Sequence, residues 1–509
     1  MVHDLFTDED LKRIRDDGIS KKDIMTQLKI FKRGFTPVKL KRPCTVGDGI
    51  VVIPDADRAP LTKIHDATTR QGRMTKFVPA SGAASRMFRD WFRYEAMDDF
   101  KTSKSATVFV KNLPQFAFYN DLQKIISQNG HDINDLIKDG KFNIILPYIL
   151  TSKGLNYAHL PKALLKFHSY PEHNRTSLEE HLVEAACYVQ NADHKCNVHF
   201  TVSDEHKLDV EDHITRVRKY YEDKYGVTYN LSVSIQLPST NTIAVDMDDN
   251  PFRDDEGKLV FRPGGHGALL KNLNAIDGDI IFLKNIDNVT PDRLKPATVL
   301  HKKILAGYLV QIQEEIFANL RLLTEEQVDN KILSRMARFC NEKLFIDLPL
   351  AFEDFSPSQK IDIMIDKLNR PLRVCGMVKN EGEPGGGPFW IDENGTQSLQ
   401  IIEQAQIDFK SDEQKRIWNS STHFNPVDLV CGVKGYSGQK FDLEKFVDKN
   451  AYLISEKSLE GRNLKALELP GLWNGAMARW NTVFVEVPII TFNPVKTIND
   501  LLRKEHLPD

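Results

Sequence analysis

What the chain has little of narrows it first. Its six cysteines (Cys44, Cys187, Cys196, Cys340, Cys375 and Cys431) stand far apart without a C-x-x-C pair. That argues against a disulfide framework and a zinc site, and fits reduced, mostly buried thiols. No apolar run approaches membrane-spanning length. The opening MVHDLFTDEDLKRIRDDG carries acids where a secretory signal needs a basic end and an apolar core, so a cytoplasmic location without a membrane partner is expected. Neither sign of charge prevails: 68 basic residues stand against 71 acidic ones, for a net charge of -3. No overall field then favours nucleic acid, and an anionic ligand has to be caught locally.

What is there is material for a large core. A chain of 509 residues with 41% hydrophobic content accommodates one big α/β unit or two or three domains. Residues from Thr7 to about Lys32 read as one or two short amphipathic helices. A turn-rich stretch from Gly34 to Pro60 leads on to a helical segment ending near Gly72, so 1–72 is expected to form an N-terminal helical appendage. From Lys76 onward strands and helices alternate, with TKFVP, NVHFTVS at Asn197, LSVSIQL at Leu231, DIIFLKN at Asp279, LRVCGMV at Leu372, DLVCGV at Asp428 and TVFVEVP at Thr482. This alternation predicts a doubly wound, mostly parallel (mixed) sheet over 73–509, with a charged helical insertion at about 290–367. No particular oligomeric state is favoured.

Several motifs bear on chemistry. PASGAASRM follows a strand and enters a helix, and its small residues Ala80, Ser81, Gly82 and Ala83 leave backbone N–H groups open to an anion. Gly82 is the residue expected to come nearest to phosphate. The loop is neither a P-loop nor a G-x-G-x-x-G turn, and a tight strand-to-helix turn needs small residues in any case. In HLPKALLKFH, Pro161 stiffens the backbone that carries Lys162, which suits a fixed cation; an ordinary surface lysine is the alternative. FRPGGHGALL brings Gly264, Gly265, His266 and Gly267, where a flat base or sugar can lie against backbone. Asp287 sits where the strand Ile280 to Lys284 gives out, a place suited to Mg²⁺ against phosphate or to a simple Asx turn. NEGEPGGGPFW, the lone acid Glu403 after it, and a second Pro-Lys pairing at Pro494 and Lys496 complete the set.

In this order the motifs resemble the UDP-sugar pyrophosphorylase branch of the GT-A-like nucleotidyltransferases, as a bacterial subfamily of it. ASGAASRM stands in the place of the family's G-G-x-G-T-R loop, with Gly82 and Arg86 at matching positions, and Pro161-Lys162 resembles its Pro-Lys motif. Pro263, Gly265, His266 and Gly267 are similar to the P-x-G-H-G that cradles uracil, and Asn285 to Val289 resemble the strand end whose Asp holds the metal. Gly386, Gly387 and IIEQAQI with Glu403 look like the sugar-binding part, here about 371–480, and Pro494 to Leu502 look like the closing P-V-K-T-x-x-D-L-L. Two first-loop glycines are replaced by Ser81 and Ala83, and Ala268 stands where an acid usually follows G-H-G.

The resemblance implies a GT-A nucleotidyltransferase fold and a Mg²⁺-dependent enzyme that joins a nucleoside triphosphate, UTP favoured, to a sugar 1-phosphate. It assigns Arg86, Lys162 and Lys496 to the reacting phosphates, Asp287 to the metal, and Asn425 with Glu403 to the sugar; Asp428 in HFNPVDL is a candidate for completing the metal site, where the family usually carries asparagine. Gln236, at the end of SVSIQLP, is a candidate for reading the base edge. A GT-A glycosyltransferase using Asp246-Met247-Asp248 as an Asp-x-Asp metal motif is the rival reading, and a nucleotide-sugar binding protein without catalysis, favoured by Ser81 and Ala83, is the third.

Overall fold

A parallel strand covered on both faces is largely apolar along its length, and the run Met74–Pro79 is buried from Met74 to Val78, Lys76 included. In the computed structural model, which describes residues 5–82, 84–88, 91, 104–325, 328–382, 385–393 and 395–508, strands of this kind build a large mixed sheet flanked by helices. The chain divides into two compact units, one of 1–64, 236–281 and 305–487, the other of 65–235, 282–304 and 488–509.

In the first unit the sheet order is Thr45–Val46, Gly49–Val51, Asn481–Glu486, Leu372–Lys379, His423–Gly432. The pairs are parallel except for the last, in which Leu372–Lys379 runs antiparallel to His423–Gly432. Beside it a hairpin, Gly387–Glu393 with Thr396–Ile402, takes Leu40–Pro43 as a third, antiparallel strand. The stretch expected to be a plain connection therefore contains strands, and the next helix, Asp55–Arg70, begins ahead of Pro60. Local turn signals do not reveal a partner strand more than three hundred residues away.

The N-terminal helices Asp8–Asp16 and Lys21–Arg33 start at Thr7 and Ser20, whose hydroxyls cap them. Their apolar faces, with Ile14, Ile24, Leu28 and Phe31, share one core cluster with Ile243, Val245, Leu259, Tyr452 and Leu467. They are built into the first unit's core. The helical stretch expected after residue 290 is observed as Lys295–Glu325, Asn330–Leu344 and Pro357–Leu368.

In the second unit Met74–Pro79, Lys195–Val202 and Thr228–Ile235 pair in parallel, and Ile280–Lys284, which enters this unit at Phe282, is the neighbour of Met74–Pro79. Helices Ser177–Tyr188 and Lys207–Tyr225 belong to this unit, the first buried over almost its whole length and opened by a Thr176/Glu179 capping box. A separate core of Trp91, Phe109, Phe116, Phe118, Ile149 and Leu150 also takes in Val495, Ile498 and Leu501. Burying these three side chains, at about 1.5–3 kcal/mol each, anchors the C-terminal segment that carries Lys496. Among the described residues no helix is long and apolar enough to cross a membrane.

Candidate phosphate-binding site

Four segments of the second unit meet at the strand ends. The backbone N–H of Lys162 donates to Gly82 O at 3.1 Å, Ile286 N–H to Pro79 O at 3.1 Å, and Val495 N–H to Asp287 O at 3.0 Å. The Gly82 loop, the Pro161-Lys162 turn, the Asp287 turn and the C-terminal Pro494 segment are thereby fastened to one another. Among the described residues nothing lies within 4 Å of a Cβ added to Gly82, so none of them requires glycine there and they leave the space over its backbone open. Ala80 is fully buried and its N–H donates to Thr201 O at 2.8 Å; Ser81 is half-buried. Ala83 and the side chain of Arg86 lie outside the described residues.

The side chains converge with the backbone. Lys162 Nζ donates to Asp287 Oδ2 at 3.0 Å and to Val495 O at 2.9 Å, and Lys496 Nζ donates to the same Oδ2 at 3.1 Å. Lys162 and Asp287 are buried, whereas the Lys496 side chain is 52% exposed. Burial pushes the Asp287 carboxyl up, but the ammoniums of Lys496 and Lys162 outweigh it and hold the group below the ordinary value of 3.8. Asp287 Oδ1 is buried and has no hydrogen-bond partner among the described residues. An orphaned carboxylate oxygen suits a hard cation. No group of three or more His, Cys, Asp or Glu able to hold a metal gathers among the described residues.

A second gathering lies within the first unit. Gly264 and Gly267 pack so closely on Thr240 O and Pro470 O that a Cβ would come within 2.5 and 2.2 Å of them, and Gly265 has φ +71°. The turn they form presents His266, whose ring stacks on Trp473 with centroids 4.2 Å apart. His266 Nδ1 accepts the Leu472 N–H at 3.1 Å, which leaves the proton on Nε2, and Nε2 stands 3.7 Å from Glu403 Oε1. Burial lowers the His266 pKa to about 4, so the ring is neutral near pH 7. Burial and the Glu468 carboxylate push Glu403 up against a hydrogen bond from Trp473.

Gly386 packs on Ile402 O and Glu403 Cγ, Gly387 pairs with Ile402, and Asn425 N–H donates to Gly386 O at 2.8 Å. Two motif groups distant in sequence are thus neighbours, and they are joined by Trp473, which the sequence reading passed over. Its signal is a tryptophan inside the turn PGLWNG. Gln236 is half-buried just beyond Thr228–Ile235. Asp428 is buried within His423–Gly432, paired in register with Gly376. The rival Asp-x-Asp motif is taken up locally: Asp246 Oδ1 accepts the N–H groups of Asp248 and Asn250, each at 2.9 Å, which makes it an Asx-type turn.

A family model described as "Domain of unknown function (DUF4301)" matches residues 7–507. No curated protein matches the chain. Among solved structures the chain is similar to a UDP-glucose pyrophosphorylase variant from Leishmania major in complex with UDP-glucose, at 12% identity and TM-score 0.45, over 97% of this chain and 77% of that one. It is similar over the same shares, at the same identity and TM-score, to a UDP-glucose phosphorylase from Trypanosoma brucei. A uridine diphosphate N-acetylglucosamine pyrophosphorylase from Trypanosoma brucei in complex with an inhibitor is similar at 11% identity and TM-score 0.48, over 94% of this chain and 74% of that one.

Proposed function

The chain belongs to the DUF4301 family, and for it we propose a nucleotidyltransferase reaction that joins a nucleoside triphosphate, UTP by preference, to a sugar 1-phosphate. A phosphate oxygen of the sugar attacks the α-phosphorus in line, pyrophosphate leaves and a nucleotide sugar forms. The observation that carries the reading is the pair of ammoniums on one oxygen of buried Asp287, beside the open backbone of Gly82.

Transfer of this kind depends on positioning and charge neutralisation more than on covalent help. An ammonium has three donors. Lys162 spends two on Asp287 and Val495 O, which fixes its direction and leaves the third for a phosphate oxygen. Lys496, half in water, exchanges its contact with Asp287 for the sugar phosphate. Each contact contributes roughly 1.5–3 kcal/mol in the ground state, and more where it follows charge developing at the leaving pyrophosphate. Asp287 Oδ1 would hold Mg²⁺, which would supply neutralisation of the phosphate charge. Arg86 on the triphosphate, the Gly264–Gly267 turn on the base, and Gly386, Gly387, Asn425 and Glu403 on the sugar rest on the motif resemblance; Asp428 as a second metal ligand and Gln236 at the base edge rest on their places in His423–Gly432 and just beyond Thr228–Ile235.

The test is pyrophosphate release by the purified protein with Mg²⁺, across four nucleoside triphosphates and a panel of sugar 1-phosphates, with Asp287→Ala as control. Release from one pair, lost in the variant, is the expected result. Tight binding of a nucleotide sugar without release from any pair would sink the transferase reading.

A further inference from the structure

The arrangement at Asp287 recurs close by in the second unit, this time fully out of water. Lys284 Nζ donates to Glu184 Oε1 at 2.7 Å, and Lys76 Nζ donates to Glu184 Oε2 at 2.9 Å and to His181 O at 3.0 Å. The side chains of Lys76, Glu184 and Lys284 have no exposure. Here again two ammoniums share one carboxylate, on segments that lead into the candidate site. Lys76 lies on Met74–Pro79, which runs into Gly82, and Lys284 closes Ile280–Lys284, which runs into Asp287. Glu184 holds both from helix Ser177–Tyr188.

The other groups around Lys76 do not cancel the surplus charge. His181 is held well below its ordinary pKa, by burial first and by Lys76 next, so it is neutral; its Nε2 lies 3.3 Å from Ile286 O and its Nδ1 has no partner among the described residues. Burial also pushes the Cys187 thiol up. The Tyr188 ring lies 5.2 Å from Lys76 Nζ, and its hydroxyl donates to Glu184 at 3.2 Å. One unit of positive charge therefore stays in the interior, where an uncompensated charge is costly. Lys284 is three residues from Asp287, at most about 11 Å along the chain, and buried charges are screened far less than exposed ones at that range.

We propose that Lys76, Glu184 and Lys284 are positioning residues for the phosphates. They tie the two strand ends through one carboxylate and keep a cationic charge behind the site, which a bound triphosphate or pyrophosphate offsets. The inference rests on the transferase reading. Lys76→Met tests it, because methionine fills the space and leaves Lys284 and Glu184 as a neutral pair. With inorganic pyrophosphate and Mg²⁺ as the calorimetric probe, the variant should bind at least tenfold more weakly, in low and high salt alike, while its melting temperature holds or rises.

A second readout follows pH. Burial lowers the Lys76 pKa from 10.5 to about 8 against the pull of Glu184, so the wild type should lose pyrophosphate affinity as pH rises from 7 to 9 and lose the excess over the variant with it. A merely structural lysine would lower the melting temperature and leave affinity and its pH profile alone, which overturns the proposal. Should Lys76→Met fail to fold, the apolar triple Lys76→Met, Glu184→Leu, Lys284→Met carries the same expectations, since buried ion groups exchanged for packed apolar ones are often tolerated. A wild type that releases and binds no pyrophosphate defeats the transferase reading itself; a variant that binds as well as an active wild type defeats only this inference.

Discussion

The two units use turns of small residues to opposite ends. In the second unit the turn at Gly82 is fastened to the backbone of Lys162, whose ammonium shares the Asp287 carboxylate with that of Lys496. In the first the turn at Gly264–Gly267 presents a neutral imidazole stacked on an indole, with a carboxyl near it that burial pushes toward the protonated form. Charge in a weakly screened place suits phosphate, and flat aromatic surface suits a ring. Small residues serve different ends in the two turns: among the described residues nothing crowds Gly82, whereas Gly264 and Gly267 are packed against the backbone of Thr240 and Pro470.

The comparison breaks most sharply at Lys162. Lys162→Met should cut turnover roughly 100- to 1,000-fold, the range for removing a donor that follows developing charge. It should also lower stability by about 1–3 kcal/mol, because Val495 O loses its donor in a buried place. Lys496→Met, at a half-exposed position, should slow turnover by less and leave the melting temperature where it was. Steady-state kinetics beside thermal unfolding checks both, and equal loss of stability in the two variants would contradict the division of labour.

A smaller effect is expected in the first unit. Trp473→Ala removes a stacked ring, a contact of about 0.5–1.5 kcal/mol. It should raise KM for the nucleotide roughly two- to tenfold with kcat nearly unchanged. A fall in kcat at constant KM would mean that the stack acts on the reacting phosphates after all.

How much of this was legible in the sequence follows from the range of each signal. The parallel strands were plain because burial on both faces writes a largely apolar run, interrupted only by Thr75 and Lys76 in Met74–Pro79 and by Arg373 within Leu372–Lys379. Lys162, Asp287 and Lys496 were legible as motif positions, and the structure adds that they touch. The pairing of Leu40–Pro43 with Gly387–Glu393 was not, since register between distant strands leaves no local mark. Neither was the triad of Lys76, Glu184 and Lys284: a lysine in a strand reads as a solvent-facing position until its carboxylate, about a hundred residues away, is seen against it. Trp473 was missed because an aromatic in a turn has no period to announce it.

The gentlest prediction concerns how the charged unit stays ordered in acid. His506, 2% exposed, meets His168 through a 2.9 Å contact between Nδ1 and Nε2, and His168 meets Glu180 at 2.8 Å. Burial, with His168 and Arg503 next, lowers the His506 pKa from 6.5 to about 3. The folded protein therefore holds His506 neutral where the unfolded chain protonates it. Its contribution to stability is complete above pH 6.5 and is lost progressively as pH falls toward 3, at no more than about 1.4 kcal/mol per pH unit. The melting temperature should accordingly decline between pH 7 and pH 4, and His506→Asn should flatten part of that decline, because asparagine has no proton to gain. Because His506 closes the segment that carries Lys496, wild-type turnover should fall over the same interval; an unchanged slope in the variant would mean that the C-terminal anchor is held by Val495, Ile498 and Leu501 alone.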